Sequence, residues 1–268
     1  MFRVALQLLR FRGLLATLTS RELKARYRGS VLGFLWSLVN PLLLLAVYTF
    51  VFSVVFKPGA RGGMSPYALF LVSGLFPWIW ISASALEGSM SLLANSGLIR
   101  KAVFPAELLP MVSVLSNLVH LLFALPIVIV ALVAGRILGF PVGGLSMLAL
   151  PAILLLHLPM VAGLALGASA LTVHFKDVRD LLANLLTLMF FLTPILYSLE
   201  TIQSLGPLKW VVWLNPFTPF ILAYQAVLFR GEIPAPPLWI QMALVSLFTW
   251  AMGAGLFERL RETLVEAA

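Results

Sequence analysis

A carboxylate inside a long apolar run is expensive to keep there, so Glu87 is the first residue in which to look for chemistry. It is the only acidic side chain well inside such a run (67–93), and an ionisable group at that depth marks a functional site by default. Roughly 10 Å of helix separates it from the turn at Asn95, which also suits a structural role, paired to a cation near the interface. Aromatic residues form the second group. Trp78 and Trp80 lie in the same run, and Trp213 and Phe217 lie in a later, broken apolar segment. Rings so placed anchor a protein at the bilayer interface, or offer flat apolar faces on which the C–H faces of sugars pack. Glu87, Trp78, Trp80, Trp213 and Phe217 are therefore the candidates for a substrate path.

Other chemistries find no residues. The chain has no cysteine, so it has no disulfide and no thiolate nucleophile or ligand. His120, His157 and His174 are too far apart in sequence for metal-ligand spacing, and no H-E-x-x-H occurs; each is expected to hydrogen-bond between helices, and no metal site is expected. None of Lys24, Lys57, Lys101, Lys176 and Lys209 completes G-x-x-x-x-G-K-[ST], so the chain has no ATP site of its own. No acid, base and nucleophile converge in the apolar runs, which argues against an enzyme.

The elements that hold these residues are membrane spans. Of 268 residues, 61% are hydrophobic and only 10% charged, far from a water-soluble domain, in which about a quarter are charged. An all-α polytopic membrane protein is expected, with six transmembrane helices at about 31–56, 67–93, 111–133, 145–173, 181–199 and 238–257. The fourth is interrupted by Pro151 and Pro159 and carries the close-packing pattern Gly163-x-x-x-Gly167. The segment 210–228 is apolar but broken at Asn215-Pro216 and Pro219, too short on either side to cross, and reads as a re-entrant outer hairpin between spans 5 and 6. No cleavable signal is expected, because Arg10 and Arg12 interrupt the first apolar stretch.

Charge sets the orientation. Of 18 cations, only Lys57, Arg61, Arg136, Lys209 and Arg230 fall on the outer side of this arrangement, so both termini are cytoplasmic. The net charge of +8 flanks the spans, which implies contact with anionic lipid and not with nucleic acid. Residues 1–30 read as a cytoplasmic interfacial helix: Arg3, Gln7, Arg10, Thr17, Arg21, Lys24 and Arg28 share one face, and Phe2, Leu6, Leu9 and Leu15 the other. Arg21, Lys24, Arg26 and Arg28 lead directly into the first span. Residues 31–258 form the membrane domain and 259–268 a cytoplasmic tail. The longest charged cytoplasmic loop, 99–110, contains Arg100, Lys101 and Glu107 between apolar residues and prolines.

Two stretches carry a resemblance. "LKARYRGSVLGFLWSLVNPLLLLAVYTFVFSVVF" (23–56) resembles the entry to the first span of ABC-2 type permeases, nearest to those that export polysaccharide, and "LIRKAVFPAELLP" (98–110) resembles that family's first cytoplasmic loop. The resemblance implies the channel subunit of an exporter of lipid-linked O-antigen, capsule or teichoic acid chains in the bacterial inner membrane. It implies a homodimer and a separate ATP-binding cassette ATPase that binds ATP and magnesium, with no cofactor in this chain. It also implies that Arg100, Lys101, Phe104, Pro105 and Glu107 receive the ATPase stroke. Two rivals are an ABC-2 permease for drugs or small lipids and an ion-coupled secondary transporter. The latter usually shows several intramembrane ionisable residues and paired repeats.

Overall fold

The structure, a computed structural model, describes residues 2–51, 66–99, 104–204 and 206–267. Among them every regular element is helical: α1 (Phe2–Arg10), α2 (Arg12–Arg26), α3 (Trp36–Thr49), α4 (Tyr67–Ala94), α5 (Ser96–Ile99), α6 (Leu108–Ile137), α7 (Leu150–His174), α8 (Val178–Leu192), α9 (Leu199–Gln203), α10 (Lys209–Leu214), α11 (Thr218–Tyr224) and α12 (Pro236–Ala267). Helices dominate because an apolar chain has no water to satisfy its backbone and must pair it within each segment.

Four helical segments are long and apolar enough to cross a membrane: Tyr67–Ala94, Leu108–Ile137, Leu145–His174 and Pro236–Arg261. They match the second, third, fourth and sixth expected spans. Pro159 does not interrupt α7, and Pro151 sits in its first turn, where the missing N–H costs nothing. The first and fifth segments are shorter among the described residues. α3 has 14 residues, and α8 has 15 and stops at Leu192 instead of running to Leu199. The reason is local: Thr193 precedes Pro194 and takes the extended conformation that proline imposes on its predecessor (ψ 140°).

α4 is the central helix. Of its most apolar window 72% is buried, against 28–39% in the other three, and it packs on α3, α6, α7, α8 and α11. Gly88 allows α7 close: a Cβ there would stand 2.8 Å from that of Ala165. α7 in turn packs most extensively on α12. At their crossing the backbones of Gly163 and Gly253 are in contact, and a side chain on either would meet main chain of the other helix. The Gly163-x-x-x-Gly167 spacing thus faces a partner helix within the same chain, and the Ser246 hydroxyl donates to the Leu156 carbonyl along the same seam.

The broken segment after α8 is irregular but internally satisfied. The Asn215 amide donates to Thr193 Oγ1 (2.8 Å) while its oxygen accepts from the Phe217 N–H (3.0 Å). Thr218 Oγ1 donates to the Val212 carbonyl (2.7 Å), Gln225 Nε2 to the Pro194 carbonyl (2.6 Å) and Ser146 to the Val227 carbonyl (2.9 Å). α10 is half exposed, whereas 217–229 is buried throughout. Non-helical backbone at membrane depth is tolerated only under such cover. The segment ends at Gly231 (φ +70°), where a Cβ would strike the Gly143 carbonyl.

At the N-terminus the expected single helix is two, parted at Phe11 (φ −101°, ψ 23°). Phe2, Leu6 and Leu9 are exposed, whereas Val4 and Leu15 turn into the protein. The Val4 N–H donates to Glu258 on α12 (3.3 Å), so α1 and α12 meet. α12 continues as one helix beyond residue 258 to Ala267.

Candidate functional site

Helical geometry divides the candidates. Trp78 and Trp80 are two residues apart, about 200° around a helix, and they point to opposite sides of α4. Trp80 and Glu87 are seven apart and share a face, together with Phe76 and Ala83.

On the first side, Trp78 meets Phe217 edge to face (centroids 5.3 Å, 82°) and Phe190 (5.8 Å), and Tyr48 stacks on Phe190 (5.8 Å, 30°). Tyr48, Trp78 and Phe190 help to bound a groove of about 360 Å³ between α3, α4 and α8, in which Ser82 and Thr187 are the hydroxyl-bearing residues beside Tyr48. Two of the five path candidates are therefore in contact. Trp213 is half-buried in α10.

The other side holds the polar centre. Glu87 Oε2 accepts from Arg26 Nη2 of α2 (2.6 Å) and from the Asn117 amide of α6 (2.7 Å). Arg26 Nη1 also reaches Asn117 Oδ1 (3.5 Å). Side chains of Arg26 and Glu87 are 26% and 37% accessible, so the pair is neither sealed nor free in water. Burial works against the Arg26 charge, but the hydrogen bond and attraction from Glu87 outweigh it and hold the guanidinium pKa above its ordinary value. One turn along α6, His120 Nε2 lies 3.0 Å from the Tyr27 hydroxyl. The charged end of α2 is thereby fastened to α4 and α6 beside the elbow that leads into α3.

This network borders a cavity of about 380 Å³ between α2, α3, α4 and α6. Trp36, Phe76 and Trp80 give it aromatic walls, and Arg26, Tyr27, Ser30, Asn40, Glu87, Asn117 and His120 supply its polar atoms. Trp80 is fixed by donation from Nε1 to the Val114 carbonyl (3.2 Å) and by edge contact with the His157 ring (4.7 Å). A second cavity of about 410 Å³, lined by Arg21, Glu22, Ser91 and Asn95, shares Arg26 and Glu87 with the first. The ion pair stands between the two.

Arg21, Lys24 and Arg28 are exposed on and just after α2. Arg100 and Lys101 lie outside the described residues. Phe104 is partly buried against the core and Pro105 is buried. Glu107 turns inward, its side chain 2% accessible, with Arg261 of α12 at 4.0 Å. It faces the interior of the chain, toward α12. The histidines act as helix-to-helix or helix-to-backbone bonders: His157 Nδ1 meets the Tyr224 hydroxyl (3.2 Å) and His174 the Ala170 carbonyl (3.0 Å). Among the described residues no three acidic or histidine side chains cluster to hold a metal. Sequence reasoning missed Asn117, Asn40, Trp36 and Tyr27. Asn117 and His120 leave a trace, two polar residues one turn apart inside an apolar helix.

Comparison with known proteins adds an independent observation. The model of the ABC-2 type transporter family matches residues 13–229. The O-antigen export system permease protein RfbA of Myxococcus xanthus is 37% identical over 269 residues, covering 100% of both chains. A protein of the same name from Klebsiella pneumoniae is 30% identical over 94% of each chain. The polysialic acid transport protein KpsM of Escherichia coli is 22% identical over 91% of this chain and 92% of its own.

Proposed function

The chain belongs to the ABC-2 type transporter family, and from that premise we propose that it is the membrane subunit of an ATP-driven exporter of lipid-linked polysaccharide. The observation that carries this reading is the end-to-end likeness, 37% over 269 residues, to a protein named as an O-antigen export permease. The two hollows beside α4 that combine aromatic walls with hydroxyls agree with it, since both suit sugars better than a drug or an ion.

In this reading the chain crosses the bacterial inner membrane six times with both termini in the cytoplasm. α8 spans about 22 Å as helix, most of a crossing of about 30 Å, and the turns and bends of 193–198 follow it. The satisfied hydrogen bonds around Asn215 and Gln225 support a hairpin that enters the outer leaflet and returns. The exposed apolar stripe Phe2, Leu6 and Leu9, flanked by arginines, supports an N-terminal helix lying in the lipid interface. ATP and magnesium bind a separate ATPase subunit, which pushes on the loop 99–110. Because Glu107 opens α6 and faces Arg261, that push reaches α6 and α12 together. Cavities of about 360 to 410 Å³ within one copy are too small to pass a glycan chain, so two copies enclose the path.

Deleting the gene should remove the surface polysaccharide, leave its lipid-linked form inside the cell, and be reversed by a plasmid copy. Surface glycan at the wild-type level in the deletion strain would overturn the reading.

A further inference from the structure

We propose that the cavity between α2, α3, α4 and α6 is a sugar-binding pocket, which holds one residue of the glycan at the cytoplasmic side of each protomer before it enters the path between copies. The proposal rests on the reading of the chain as a glycan exporter and adds a site that neither the family match nor the relatives' names assign.

Size comes first. About 380 Å³ lies within the ordinary range for ligand pockets of roughly 300–1,000 Å³. It holds about a dozen water-sized groups at ~30 Å³ each, the heavy-atom count of one hexose, with some room to spare. Shape and chemistry follow. Trp36, Phe76 and Trp80 present flat apolar walls for the C–H faces of a pyranose. Asn40, Asn117, Tyr27, Ser30 and Glu87 in the same lining carry hydrogen-bond donors and acceptors. Asn40 is exposed on α3 and makes no hydrogen bond among the described residues. A pocket with a few placed polar groups on mainly apolar walls is the usual construction of a small-molecule site.

Charge decides between a sugar and the phosphate of a lipid carrier. Among the described residues, the one cation lining the cavity, Arg26, already holds the one carboxylate, Glu87, at 2.6 Å. A phosphate would have to displace that carboxylate or lie against it, whereas a neutral polyol hydrogen-bonds to both without parting them. Access is direct, since Trp36 and Asn40 in the wall of the cavity are exposed.

The test is photocrosslinking in cells that make the glycan. p-Benzoylphenylalanine is placed at Asn40, which is exposed and admits the probe without repacking the core, and separately at Ala83, on the half-buried wall. Leu122, exposed on the far side of α6 from His120, is the control. The chain is purified by an affinity tag after irradiation and probed for attached glycan. The expected result is an adduct at position 40 or 83 that disappears when glycan synthesis is blocked and is absent at 122. Mild acid, which cleaves sugar from lipid phosphate, should leave the glycan on the protein. Loss of the glycan with retention of the lipid would make this a carrier site and overturn the proposal. Absence of any synthesis-dependent adduct at 40 and 83 in membrane-inserted chains, or equal labelling at 122, would overturn it too. If the deletion strain loses its surface glycan while these adducts are missing, the pocket fails and the exporter reading stands.

Discussion

Reversing the Arg26–Glu87 pair tests whether this contact fastens the interfacial segment to the bundle. Two charges about 4 Å apart attract by roughly 4 kcal/mol at an effective dielectric constant of 20, before the cost of taking them from water. Exposed pairs return about 0.2–1 kcal/mol, and breaking a buried pair costs about 3–5 kcal/mol. With side chains 26% and 37% accessible, this one falls between, and losing either charge should cost about 2 kcal/mol. Arg26→Glu and Glu87→Arg each place like charges together and should lower the thermal midpoint of the purified transporter and its export per assembled copy. The double exchange restores attraction. Asn117 permits it, because its amide donates on one side and accepts on the other, and a flip of the group serves the reversed pair equally well. The double-mutant cycle should therefore show a coupling of about 1–2 kcal/mol, with most of the export recovered. A double variant whose loss equals the sum of the singles, within about 0.5 kcal/mol, would refute the reasoning, since the two residues would then not act on each other.

Gly163→Leu or Gly253→Leu should abolish assembly, because either side chain meets backbone across the α7–α12 crossing, whereas Gly255→Ala, with open space around it, should be neutral or stabilising by up to about 1 kcal/mol; recovery of folded protein by size-exclusion profile distinguishes them. Cysteines at Ser204 and Glu232, both exposed in a chain without native cysteine, should both react with an impermeant thiol reagent from outside if the segment between them returns to the outer surface. Labelling of only one would mean that it crosses.

Spans were readable where length and composition are enough. The second, third, fourth and sixth needed only an uninterrupted apolar run, and their helices extend past the expected ends by a few residues at most sites, into flanking positions that still suit a helix. The expected break at Asn215-Pro216 is present as the gap between α10 and α11. The fifth span was drawn too long for a reason visible in the sequence: Pro194 biases Thr193 out of the helix, and hydropathy alone does not see it. The N-terminal helix was drawn with Leu15 on the lipid side. Its burial depends on α6 packing against α2, a contact between distant segments that periodicity does not contain.

Grouping Trp78 with Trp80 was avoidable, since 200° of helix separates them and only one can share a face with Glu87. That single angle reorganises the site. α4 presents Trp78 toward α8 and the segment 215–229, and it presents Trp80 and Glu87 toward α2 and α6, where the Arg26–Glu87 ion pair sits. Glu87 was legible as a residue that needs a partner, but the partner is 61 positions away on α2, and nothing in the spacing of Arg21, Lys24, Arg26 and Arg28 singles out Arg26. The choice follows from three-dimensional packing: Arg26 is the last residue of α2, next to the elbow, and is therefore the cation carried to the depth of Glu87. A segment fastened there cannot shift against the bundle without either breaking the pair or carrying α4 and α6 with it.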